Sequence, residues 1–154
     1  MAGLYYEEFE IGQKFEHPIR RTVTETDNLI FTGLTHNPAR LHLDEEYCKN
    51  TEFGTRIVNS TFTLSLMVGV TVYDTTLGTT SGNLGWEDVR FPKPVFHGDT
   101  LHFETEIKEK RESKSRPQDG IVTFIHRAFN QNDELVAVCT RVALMIKKDH
   151  DKNA

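Results

Sequence analysis

Apolar and polar positions along this chain follow a helical rhythm in the first half and a strand rhythm in the second. Leu29, Ile30, Phe31 and Leu34 recur at helical spacing behind Thr24-Glu25-Thr26-Asp27, which reads as a helix cap with acidic residues in the first turn. Asn37-Pro38 ends that helix, because the residue before a proline is pushed away from helical angles. Asp44-Glu45-Glu46 can cap a second short helix reaching about Asn50, and Phe53-Gly54 breaks it. Residues 59–73 form the longest helical segment, with Asn59 or Ser60 as its cap and a body apolar on nearly every face. Such a helix wants to be enclosed, and Ser60, Ser65 and Gly69 would let other backbones come close.

After a loop at 75–82 the period shortens to two. Residues 84–91, 100–110, 120–130 and 135–147 carry alternating or β-rich runs. Gln131-Asn132-Asp133 makes a tight connection, read as a hairpin, and Arg116-Pro117-Gln118-Asp119-Gly120 is another turn. Ahead of all this, residues 5–15 read as an extended lead-in and 19–23 as a short strand, while the polar tail from Lys148 to Ala154 is expected to fray. Helices first, one enclosed helix, then long antiparallel strands make an α+β architecture: a sheet wrapped on a central helix. With 154 residues, no repeat and no linker, residues 1–154 are expected to be a single domain.

Charge narrows the function classes. A net charge of -5 argues against a general nucleic-acid binder, which needs a basic surface to displace counterions. Lys108, Lys110, Arg111, Lys114 and Arg116 do cluster, either as a solvated strand end or as a landing place for a phosphorylated ligand. Cys48 and Cys139 lack CxxC spacing and are expected to be buried or half-buried free thiols of a reducing compartment. The opening Met1-Ala2-Gly3-Leu4-Tyr5-Tyr6 shows no secretory pattern, and no apolar run is long enough for a membrane span, so a cytoplasmic protein away from the membrane is expected.

The usable chemistry concentrates in Thr35-His36-Asn37-Pro38-Ala39-Arg40-Leu41-His42-Leu43-Asp44, followed by the polar helix start at Asn59-Ser60. The first stretch offers imidazole for proton transfer; the second offers a helix N-terminus that stabilises negative charge. His36, His42 and Asp44 match no compact zinc pattern, so no metal is expected. There is no phosphate-binding Gly-rich loop, and no Gly-x-Ser-x-Gly elbow.

Several of these segments also carry a resemblance. Leu41-His42-Leu43-Asp44-Glu45-Glu46-Tyr47, Thr51-Glu52-Phe53-Gly54, the helix starting at Asn59-Ser60, Val89-Arg90-Phe91-Pro92-Lys93-Pro94-Val95 and Gly98-Asp99-Thr100-Leu101 together resemble the MaoC-like acyl dehydratases, hot-dog proteins that include (R)-specific enoyl-CoA hydratases. The resemblance runs from about Tyr5 to Lys147. It implies a hot-dog domain and a CoA thioester substrate, typically a 2-enoyl-CoA interconverted with a 3-hydroxyacyl-CoA. No separate cofactor is implied, coenzyme A being part of the substrate, and the ligand channels of the family imply at least a homodimer.

In the family pattern an Asp stands five residues before the His; His42 matches the His, and Asn37 occupies the other position. A register with Ala39 and Arg40 inserted puts Thr35 there instead, and neither register supplies a carboxylate. The enclosed helix starts Asn59-Ser60 where the family commonly reads His-Gly. For hydration, the resemblance then makes His42 the base, Asn37 an orienting amide and the Ser60 backbone N–H the oxyanion donor. Asp44 is the nearest substitute carboxylate, or simply a helix cap. His36 is either part of the site or an exposed loop histidine, and Asn59 is either a substrate ligand or a cap. Arg90 and Lys93 either hold the CoA phosphates or are ordinary surface charges. Phe31, Phe62, Met67 and Trp86 line a tunnel or belong to the core. Two other functions fit the same residues: a hot-dog thioesterase, and a non-catalytic acyl-CoA-binding homologue.

Overall fold

The computed structural model describes residues 3–150. A 3-10 turn, Tyr6–Glu8, leads into β1 (Lys14–Glu16) and β2 (Arg21–Thr22); the helices α1 (Glu25–Leu34), α2 (Arg40–Leu43), α3 (Glu45–Cys48) and α4 (Ser60–Thr75) follow. The strands β3 (Thr80–Arg90), β4 (Thr100–Glu112), β5 (Asp119–Phe129) and β6 (Leu135–Ile146) complete the chain, with a last 3-10 turn at Lys148–His150. All pairings are antiparallel, in the order β1-β4-β5-β6-β3, and β2 pairs with β4 off this path. This is the hot-dog arrangement: α4 lies against β4, β5 and β6, and the sheet curves round it. No helix among the described residues is long and apolar enough to cross a membrane.

Alternation over most of each long strand explains how the sheet buries one face. Leu101, Phe103 and Ile107 of β4, Val122, Phe124 and Ala128 of β5, and Ala137, Cys139, Ala143 and Met145 of β6 all turn inward and are buried. From the helix, Thr63, Met67, Val70, Thr71 and Thr75 are its buried residues. Removing a Phe103- or Phe124-sized side chain from water contributes about 1.5–3 kcal/mol each. The inward residues fall into two apolar clusters. Between them on the three strands stand Thr105, His126 and Arg141, also buried.

That polar row is tied to the lead-in and the helix. His17 Nδ1 donates to Asp74 Oδ2 of α4 at 2.8 Å, and His17 Nε2 lies 2.8 Å from the Thr105 hydroxyl. Thr105 in turn contacts His126 Nδ1 at 2.8 Å. The start of the chain crosses β5 so closely that a Cβ on Gly120 would stand 2.0 Å from the Tyr6 ring.

Several expectations shift. Residues 5–15 contain a 3-10 turn as well as the start of β1, and the strand expected at 19–23 shrinks to two residues. Strand β3 starts at Thr80, inside the expected loop, because pairing with β6 captures Thr80 opposite Met145 and Gly82 opposite Leu144. Of the expected frayed tail, Lys148–His150 is a 3-10 turn held by a bond from Lys148 N–H to Glu7 Oε2 at 3.1 Å; residues 151–154 lie outside the described ones. The basic cluster does not form one landing place. Lys110 Nζ donates to the Phe9 and Tyr6 carbonyls at 2.8 and 3.0 Å, and Arg116 pairs with Asp119. Both cysteines are buried free thiols, and burial pushes the Cys139 thiol up to about 11.

Candidate active site

Thr24 caps α1 through a reciprocal box: its hydroxyl accepts the Asp27 N–H at 3.1 Å, and the Asp27 carboxylate accepts the Thr24 N–H at 2.8 Å. One residue further on, the helix turns Asn28 fully into the interior. The helix stops at Thr35. His36 adopts a left-handed φ of 52° and is exposed. The Asn37 side-chain oxygen accepts the Ala39 N–H at 3.0 Å, closing the turn over Pro38.

The turn delivers His42 on α2, a single helical turn where a loop was expected. Its position is set from Ile57, a residue that the sequence reading did not single out. Ile57 N–H donates to the Leu41 carbonyl at 3.0 Å, and His42 Nδ1 lies 2.9 Å from the Ile57 carbonyl. A carbonyl only accepts, so Nδ1 carries the hydrogen. In the neutral ring, Nε2 is therefore the bare, basic nitrogen.

Asp44 does not supply the missing carboxylate. It accepts the Tyr47 N–H at 2.9 Å as the cap of α3 and pairs with Arg40 at 2.7 Å. Those two contacts, the backbone N–H first, hold its carboxyl below the usual range. Arg56 ties α1 to α3 through Glu25 and Glu45. His97 is held below its ordinary value by burial first and the Arg56 charge second.

The head of α4 is the second half of the site. Asn59 is a buried cap: its side-chain oxygen accepts the Thr61 N–H at 3.1 Å and the Thr61 hydroxyl at 2.6 Å. Its own N–H donates to Asn28 Oδ1 at 2.8 Å. The Asn59 carbonyl accepts the Phe62 and Thr63 N–H groups at 3.0 and 3.3 Å. The structure thus uses Asn59 internally, as a cap and not as an open ligand. Of the first four amides of α4, only the Ser60 N–H has no acceptor among the described residues.

Ser60 lines a cavity of about 310 Å³. Phe53, Ile57, Val58, Thr63, Phe91, Pro92, Lys93, Pro94, Val95 and Val136 line it with Ser60. The wall is apolar except for Ser60, Thr63 and Lys93. The sequence-predicted residues therefore divide. Ser60 and Lys93 share the cavity, and His42 is joined to its wall through the Ile57 carbonyl. Asn37 stays in the turn, with its oxygen occupied. Arg90 points elsewhere: its side chain is 72% exposed and stands 3.7 Å from Asp88, while Lys93 pairs with Glu134. Phe62 meets Phe31 edge-on at 5.6 Å, Met67 is core, and Trp86 is 40% exposed. Among the described residues, no three His, Cys, Asp or Glu side chains converge as metal ligands.

Residues 8–128 match the family model described as "MaoC like domain". The chain belongs to the MaoC-like family. This MaoC-like domain is 29% identical over 148 residues to a protein named mesaconyl-CoA hydratase from Cereibacter sphaeroides, covering 96% of this chain and 43% of that one. It is 29% identical over 101 residues to an (R)-specific enoyl-CoA hydratase from Rhodospirillum rubrum, covering 63% and 65% of the two chains. The chain thus spans under half the length of the first of these relatives. Among solved structures, a protein titled monoamine oxidase regulatory protein from Archaeoglobus superposes with a TM-score of 0.85 at 36% identity, covering 96% of this chain and 97% of that one. A Mycobacterium tuberculosis protein described as a double hot-dog superposes at 0.86 with 22% identity, over 99% of this chain and 47% of that one, a likeness of fold alone.

Proposed function

We propose that this MaoC-like domain is a hydro-lyase that adds water across the double bond of a 2-enoyl-CoA, giving a 3-hydroxyacyl-CoA, and catalyses the reverse elimination. One observation carries the reading: a histidine whose Nδ1–H is locked to the Ile57 carbonyl, beside a cavity whose wall holds an unclaimed helix N-terminal amide at Ser60. Relatives named as CoA-thioester hydratases support it.

The chemistry follows from that pair. His42 Nε2 takes a proton from water as the water oxygen bonds to the β-carbon. The π electrons move to the thioester oxygen, and the Ser60 N–H, reinforced by the helix dipole, meets the charge that forms there. The imidazolium then returns its proton to the α-carbon, re-forming the carbonyl and restoring the bare Nε2. Asn37 acts by holding the turn, since its oxygen is bonded to Ala39 N–H and an amide is no base. Asn59 contributes through the cap.

A cavity of about 310 Å³ is at the small end for ligand sites and favours a short acyl group. Lys93 is the cation on the cavity wall, and a CoA phosphate would take it from its pair with Glu134; Arg90, outside the cavity, could serve only the outer part of the nucleotide. The substrate is carried as a free CoA thioester, with no added cofactor or metal. The working unit is at least a homodimer: β3 is an edge strand, with Leu84 and Trp86 54% and 40% exposed. An exposed apolar edge of this kind favours a partner. A reducing cytoplasmic location fits the two free thiols.

Purified protein mixed with crotonyl-CoA tests the reading, with absorbance of the conjugated thioester and free thiol followed together. Absorbance should fall without thiol release, and His42→Ala should lower the rate by about 10²–10⁴-fold. Thiol release would make the protein a thioesterase. Binding without turnover of any linear, branched or dicarboxylic short enoyl-CoA would reduce it to a binding module.

A further inference from the structure

Asn28 lies in α1, fourteen residues before His42, and belongs to none of the groups that the proposed reaction uses. It is nonetheless fully buried and is bonded to the His42 turn, to Ile57, to His97 and to the cap of α4. Its Nδ2 stands 3.3 Å from the His42 carbonyl, 3.3 Å from the Ile57 carbonyl and 3.0 Å from His97 Nε2. Its Oδ1 accepts the Asn59 N–H at 2.8 Å. The partners fix which way the amide points: two carbonyls need a donor, and a backbone N–H needs an acceptor. The two Nδ2 hydrogens are shared among these three acceptors, and His97 presents a lone pair at Nε2, which a neutral imidazole supplies.

We propose that Asn28 is a positioning residue for the hydration site: one buried amide that sets the His42 turn, the Ile57 carbonyl and the head of α4 in a single geometry. The inference rests on the function proposed above and adds a residue that sets its precision. The Ile57 carbonyl receives two donors, His42 Nδ1–H and Asn28 Nδ2–H. The Val58 N–H of the same peptide donates to the Val95 carbonyl at 2.8 Å, so loss of the second donor tilts the Ile57 carbonyl about that remaining bond, and the bond that keeps the proton on His42 Nδ1 weakens. On the other side, Asn28 Oδ1 anchors the N–H of Asn59. That residue's own carbonyl and side chain take three of the four amides that start α4, leaving the Ser60 N–H for the oxyanion. Base and oxyanion donor come from segments 18 residues apart in sequence, and this amide is bonded to the backbone of both segments, at the His42 carbonyl and the Asn59 N–H. Displacing reacting groups by about 1 Å can cost about 10²-fold in rate.

The test uses Asn28→Asp and Asn28→Ser, with two readouts. Aspartate keeps an acceptor for the Asn59 N–H, matches the shape and loses both donors. Serine is uncharged and retains one donor, so it judges the idea if the aspartate variant fails to fold. Turnover of crotonyl-CoA should fall at least tenfold in kcat, with KM for the thioester within about threefold, since no substrate contact is removed. Long-range 15N–1H spectra of the His42 ring should show the Nδ1–H form in the wild-type protein and a mixture of tautomers in the variants. A folded variant that keeps both the wild-type kcat and a pure Nδ1–H His42 overturns the proposal. Absence of turnover in the wild-type protein would instead overturn the hydratase reading, while the ring spectra would still decide whether Asn28 holds His42.

Discussion

Acidification should unfold this protein largely through one side chain, His126. Its ring is fully buried, stacks 5.6 Å from Phe124, and bonds through Nδ1 to Thr105, while Nε2 has no partner among the described residues. Burial first, then the charges of Arg141 and His17, push its pKa from 6.5 down to about 3. In the unfolded chain the same imidazole protonates near 6.5. Between these values the unfolded state holds a proton that the folded state refuses, so stability falls as pH falls. The slope approaches 1.4 kcal/mol per pH unit, and the gap of about 3.5 units caps the loss at about 5 kcal/mol. That is comparable with the whole stability of a typical domain. Urea unfolding at steps from pH 7 to pH 4 measures it, for the wild-type protein and for His126→Gln, which keeps a donor for Thr105 and does not titrate. Carboxylates held low by their partners, such as Glu45 by Arg56, add to the acid loss in both proteins and cancel in the difference. The wild-type curve should be steeper, by about 1 kcal/mol per pH unit below pH 6. Parallel curves would refute the reasoning and mean that His126 takes up its proton without cost.

Further consequences are open to simpler assays. Asn59→Ala removes the cap of α4 and should cost about 1–2 kcal/mol in urea unfolding; an unchanged midpoint would contradict the cap. Leu84→Asp combined with Trp86→Arg should convert the protein to a monomer in sedimentation equilibrium, and a persisting dimer would place the interface elsewhere. Gly120→Ala drives a methyl into the Tyr6 ring and should speed amide exchange in residues 3–9 while leaving α4 protected.

Much of this fold is legible in the chain because its long elements have a clean period. Strands β4, β5 and β6 are eleven or more residues long, alternate over much of their length and fall within two residues of where alternation puts them. Helix α4 declares itself through a capping asparagine and an all-round apolar body. Short and irregular elements hide. Helix α2 spans only four residues behind a proline turn, too few for a period to register. The start of β3 reads as a Thr/Ser/Gly loop until pairing with β6 and two bulges, after Thr80 and after Asn83, draw it into the sheet.

The site divides along the same line. His42 and Ser60 stand out because imidazole and a helix start are recognisable locally. Asn28 does not, because an asparagine on an amphipathic helix reads as part of the wet face. Only the return of Ile57, Asn59 and His97 from distant parts of the chain encloses it. A signal was nevertheless present: Thr32, four residues later on the same side of α1, is polar and buried too, so that face was never a purely apolar stripe. Arg90 and Lys93 differ for an equally non-local reason. Lys93 follows the end of β3 into the cavity wall, while Arg90 remains on the exposed edge.

The central claim is that one imidazole, His42, both removes the proton from water and returns one to the α-carbon, without a carboxylate partner. Hydration of crotonyl-CoA in deuterated water, with the relative configuration of the product read by NMR, tests this most directly. A base that also serves as acid works from one face, so the new hydroxyl and the α-deuteron should be syn in the product. Anti addition would contradict the account, because it requires a second acid on the opposite face.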